Sequence, residues 1–127
     1  MRLATILALL PCAALAQDPI DGEMQRCLDG ASSTMEMRTC VMAAADAWDG
    51  ALNDAYRAAM GERDAAGKAA LREAQRAWLA YRDGDAAFRG QDFQFGVDGT
   101  IKQLELDEAG LSVVRARAML LRGYISR

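Results

Sequence analysis

Apolar residues recur at spacings of three and four along most of this chain and nowhere alternate with polar ones, so the predicted elements are helices. Val41, Ala45, Trp48, Leu52, Ala55 and Ala59 mark the buried stripe of a first long helix over about residues 34–60. Ser33 followed by Glu36 is a capping-box pattern at its start, and Gly61 is a stop signal. Gly50 costs about 1 kcal/mol relative to Ala in a helix interior, which points to a kink or a close helix contact there. Asp64 is placed to cap a second long helix, about residues 65–88, with Leu71, Ala74, Trp78 and Tyr81 on one face. So short a connection makes the two helices antiparallel neighbours. The expected core is then Trp48, Leu52 and Tyr56 against Leu71, Trp78 and Tyr81.

Residues 89–99, with Gly90, Gly96 and Gly99, read as a loop crossing the bundle. Asp98 or Thr100 then caps a third helix over about residues 101–123, whose stripe is Ile101, Leu104, Leu111, Val114, Ala118 and Leu121. Upstream, residues 17–33 are polar and hold Pro19, Gly22 and Gly30, which predicts one short helical turn over about residues 23–28. The expected fold class is all-α: a small antiparallel bundle of three main helices with a short N-terminal helical turn.

The first 16 residues, MRLATILALLPCAALA, change that picture only by leaving it. One early Arg, an apolar run and the Ala14-Leu15-Ala16 ending read as a secretory signal peptide cleaved near Ala16. Cys12 follows Pro11, where a lipid-attachment signal takes a small residue, so a lipoprotein is disfavoured. Residues 17–127 suffice for one domain, and no later stretch has the ~20 apolar residues of a membrane span. Cleavage removes Arg2 alone among the charges and takes the formal net charge from −3 to −4. That balance argues against nucleic acid as a partner and favours encounter with a cationic one. Cys27 and Cys40 remain, an even number in an oxidising compartment, and are expected to pair. Such a bridge contributes about 3 kcal/mol by loop entropy. With no His and no third thiol, a metal site is disfavoured, and no cofactor is expected.

One stretch is more specific. LREAQRAWLAYRD, residues 71–83, is preceded by WDGALNDAY, residues 48–56, and followed by SVVRARAML, residues 112–120. Gln75, Trp78, Tyr81 and Arg82, together with Asp49, Leu52, Asn53 and Tyr56, resemble the signature of the LprI-like family of bacterial lysozyme inhibitors over about residues 27–120. Relatives of that type usually carry two further cysteines, one after the YRD and one in the last helix. Here those regions read GDAAF and LDEAGL, as expected if the absent two bond each other and Cys27 bonds Cys40. The resemblance implies an exported, periplasmic or secreted, non-catalytic protein that binds and inhibits lysozyme or another cationic envelope protein.

The eight signature residues admit two readings. They form a hydrogen-bonded network pinning the first long helix to the second, or Trp78, Tyr81 and Arg82 form an exposed anchor for a partner. A second candidate is the acidic and aromatic segment expected as a loop, where Asp83, Asp85, Asp92, Phe88, Phe93 and Phe95 could meet a basic partner. Its alternative is an ordinary crossover with Phe side chains over the bundle end. Catalysis finds no support: there is no His, no free exported thiol, no nucleophile motif and no phosphate-binding loop. The competing function is a non-catalytic structural or adaptor domain of the cell envelope, in which the signature residues define only the fold.

Overall fold

The computed structural model describes residues 17–92 and 99–125, and four helices make up nearly all of them. They are α1 (Pro19–Gly30), α2 (Thr34–Gly61), α3 (Ala65–Asp92) and α4 (Thr100–Arg122). No strand occurs among the described residues. Local chemistry sets most of the boundaries. The Ser33–Glu36 capping box is present, and Glu36 also accepts from Ser32. The Asp64 carboxylate accepts from Gly67 N–H at 2.8 Å, capping α3 as expected. Gly99 precedes α4 at φ 93°, a conformation that favours glycine, and no side chain caps that helix. Thr100 is instead the first helical residue, and Asp98 lies outside the described residues.

The all-α arrangement of three main helices with a short N-terminal one is as expected, and the short one runs to 12 residues rather than a single turn. Asp18 accepts from Ile20 N–H at 2.9 Å and Pro19 opens the first turn, where its missing N–H costs nothing. Gly50 is exposed and a Cβ there would meet nothing within 4 Å, so no helix approaches it closely. Residues 89–92 of the expected loop form the last turn of α3, and residues 93–98 of it lie outside the described residues. Gly84 and Gly90 weaken a helix without ending it, and the half-buried Arg89–Asp85 pair at 3.1 Å ties one turn to the next.

The core keeps Trp48 and Leu52, with Tyr56, Leu71 and Trp78 partly buried at its edge, but it closes on α4 rather than on α3. Val41, Ala44, Trp48, Leu52 and Ala55 of α2 are buried against Leu111, Ala118 and Leu121 of α4. Alanines at Ala55, Ala59 and Ala118 are nearly or wholly inaccessible and let this pair of helices approach most closely of all. Arg38 reaches Asp107 at 2.8 Å near one end, and Arg63 reaches the Tyr124 carbonyl at 2.8 Å near the other, so α2 and α4 run parallel. Ile101, expected in the stripe, is exposed. The helix α3 follows α2 antiparallel, but among the described residues it contributes only Leu71 and Trp78, both partly buried, to the core. Its inward stripe reads Leu71, Gln75, Trp78, Arg82, Asp85, Arg89, and four polar residues in six limit how deeply it can dock. Tyr81, expected inside, is 59% exposed.

None of the residues of α1 is fully buried; Ile20 and Met24 pack partly buried against the core, and covalent and ionic links add to that hold. Cys27 and Cys40 are bonded, as expected. No helix among the described residues is long and apolar enough to cross a membrane.

Candidate functional site

Asp49, Leu52, Asn53 and Tyr56 stand at i, i+3, i+4 and i+7 and therefore share one face of α2. Gln75, Trp78 and Arg82 hold the facing side of α3, and the two sets close on a cleft of about 460 Å³ that Arg72, Arg76 and Leu79 complete. Seven of the eight signature residues thus meet in one place. The eighth, Tyr81, is turned toward α4 and lines a separate groove of about 350 Å³ with Trp78, Val113, Ala116, Arg117 and Leu120.

The rim of the cleft is charged and open. Asn53 donates to Asp49 at 3.4 Å, Arg76 lies 3.5 Å from Glu73, and Arg82 pairs with Asp83 at 3.0 Å while lying over the Trp78 ring at 5.5 Å. Arg72 makes no ion pair among the described residues. Exposed Asp49 and Asn53 face a row of guanidinium groups, so the rim offers a carboxylate acceptor and cationic donors to a partner.

The floor is built differently. Buried Gln75 accepts from Arg117 Nε at 3.0 Å through Oε1, and Arg117 lies over Trp78 at 5.8 Å. Arg117 Nη2 is buried and has no hydrogen-bond partner among the described residues. The polar network expected to pin α2 to α3 therefore joins α3 to α4. Among the described residues no hydrogen bond of the signature set crosses directly from α2 to α3.

A second cluster joins residues far apart in the sequence. Trp48 is fully buried and its Nε1 donates to Asp21 at 3.0 Å, while Arg115 grips the same carboxylate at 2.7 to 3.1 Å. Arg122 bonds Asp18 at 2.7 Å, and Arg115 and Arg122 both lie over Trp48, at 5.2 and 4.9 Å. The hydrogen bonds from Arg115 hold the Asp21 carboxyl below its ordinary value, against the burial that would raise it, and the Trp48 N–H acts in the same direction. At Asp18 burial again works upward, but the Ile20 N–H and Arg122 outweigh it and the value is lowered. The available clues were the Asp18-Pro19 pair, a cap and first helical residue, and two Arg seven apart on one helix face.

The acidic candidates are dispersed. Asp83, Asp85, Phe88 and Asp92 sit on α3 rather than in a loop, while Phe93 and Phe95 lie outside the described residues. Asp83 is exposed, but Asp85 is half-buried against Arg89. Phe88 is 61% exposed and does not tuck over the bundle.

Comparison with known proteins matches this arrangement to a family. The crystal structure of an uncharacterised protein from Burkholderia thailandensis is similar, with 32% identity and a TM-score of 0.76 over 85% of this chain. The present chain spans about half of that one, 54%. No curated protein matches. The sequence profile described as "Lysozyme inhibitor LprI" matches residues 25–121, which takes in the disulfide, the cleft and Arg117 at its floor. The chain belongs to the LprI lysozyme inhibitor family.

Proposed function

We propose that this protein is exported, to the periplasm or beyond it, and there binds and inhibits lysozyme without catalysing a reaction of its own. Family membership carries the reading. The opening 16 residues supply a signal peptide, and the acidic balance of the remainder attracts a cationic enzyme. The contact surface is the α2–α3 cleft, because the family signature converges there and its exposed rim of Asp49, Asn53, Arg72 and Arg76 is free to meet a partner.

The test is lysis of cell walls by lysozyme with and without the purified mature protein, at low and moderate salt. The expected result is inhibition that weakens about tenfold or more when Asn53→Arg narrows the cleft mouth, and that Asp83→Lys with Asp92→Lys alters little. Inhibition lost only with the second variant moves the contact to the end of α3. No inhibition at micromolar excess favours the other reading, a scaffold domain of the envelope. That alternative draws on the Gln75–Arg117 bond, which employs signature residues in holding the fold. Export is checked by fractionation and by the mass of the mature chain, which should begin at Gln17.

A further inference from the structure

The charge inside the α2–α3 cleft runs opposite to that of the whole molecule. Its lining sets three guanidinium groups, Arg72, Arg76 and Arg82, against the single carboxylate of Asp49, on a mature chain of net charge −4. Arg76 and Arg82 have Glu73 and Asp83 beside them. Exposed Arg72 pairs with no carboxylate among the described residues and stands one turn from Arg76, a like-charge spacing that weakens a helix. The floor is also made of donors. Gln75 is 9% exposed, and Arg117, which has donors alone, can meet it only at Oε1. That contact fixes which way round the amide sits and leaves Nε2 as its free end. No described residue bonds Nε2, and it is not a buried orphan as Arg117 Nη2 is, so its two N–H groups are reached from the cleft. The Asp49 carboxylate is already engaged by Asn53. The cleft is therefore rich in donors and poor in acceptors, with Leu52, Trp78 and Leu79 as its apolar wall.

We infer that the group this cleft receives is a carboxylate, carried in on an Asp or Glu side chain of the partner and held between Arg72 at the rim and the Gln75 amide at the floor. The inference rests on the proposed use of the cleft as the contact surface for lysozyme and adds what is recognised there. Arg72 and Gln75 are three apart on α3 and share one face, so one carboxylate can accept from both, with charge-assisted hydrogen bonding from the guanidinium. A cleft of about 460 Å³ is within the range of small-ligand sites and ample for one such side chain. The acidic surface then acts at long range, drawing in a cationic enzyme, and the cationic cleft acts at contact.

The two effects have opposite signs, which separates them. Arg72→Gln takes the mature net charge from −4 to −5, and net charge alone would tighten binding to a cationic enzyme. Titration calorimetry should instead show the dissociation constant for lysozyme raised about tenfold, while Arg26→Gln, the same charge change at an exposed site on α1, should not raise it. Lysozyme whose exposed carboxylates have been converted to neutral amides is more cationic still, yet should bind about tenfold or more weakly and no longer distinguish Arg72→Gln from the native chain. Tighter or equal binding in either experiment overturns the inference. The cleft is also read without lysozyme. Acetyl-Gly-Glu-Gly-amide at millimolar concentration should shift the Gln75 side-chain amide resonance, its Gln counterpart should not, and Arg72→Gln should abolish the shift. That shift in a protein that lysozyme fails to bind removes the inhibitor reading and keeps the carboxylate site. An equal response to both peptides, or none to either, removes the site.

Discussion

Arg115 and Arg117 are two residues apart, and on a helix that sends them to opposite sides. One closes over Trp48 and holds α1; the other lies over Trp78 and holds α3. The Asp21 carboxylate is the hub of the first set, accepting from both Trp48 and Arg115. Asp21→Asn removes the charge and misplaces a donor beside two others, which should cost about 2 kcal/mol in a urea titration. The same group predicts an acid sensitivity. Its folded value is lowered from the ordinary 3.8, so its contribution is complete above that value and is lost as pH falls toward and through the lowered one. Thermal melts of the native chain should therefore drop below about pH 4, and Asp21→Asn should flatten that decline. An equal slope in both proteins would remove Asp21 from the account.

At the scale of elements, Gly50 offers the plainest test. It lies exposed in the middle of a 28-residue helix with open space where a Cβ would stand, so Gly50→Ala should stabilise the protein by about 0.5 to 1 kcal/mol. A loss of stability on chemical denaturation would mean that the expected close contact exists after all. The helix α3 makes the opposite case. Gln75 is its one buried residue among those described, and its amides should exchange with solvent sooner than those at the centres of α2 and α4. What could be read from the sequence follows the same division. The α2 stripe, its capping box and the disulfide were legible because each is specified within a few residues or by counting thiols. Pairing of α2 with α4 was not, because adjacency in sequence favours α3, and only the polar inward stripe of α3 argues against it. Convergence of Asp49, Asn53, Gln75 and Arg82 on one cleft was recoverable from their spacing. The bond from Arg115 to Asp21 joins residues 94 apart, for which no local pattern exists.

For the molecule as a whole, the proposed cleft has one firm wall and one loose one. Asp49, Leu52, Asn53 and Tyr56 stand on α2, whose stripe is the centre of the core, while Arg72, Gln75, Arg76 and Leu79 stand on α3, which is held by the partly buried Leu71 and Trp78 and by the Gln75–Arg117 bond. A partner seated between the walls ties the loose one to the firm one, and binding to the folded state alone stabilises it by mass action. Lysozyme in excess should therefore slow amide exchange in α3 more than at the centre of α2, with titration calorimetry giving one partner per chain. Asn53→Arg should remove that protection together with the inhibition. Inhibition without slower exchange in α3 would move the contact off the cleft.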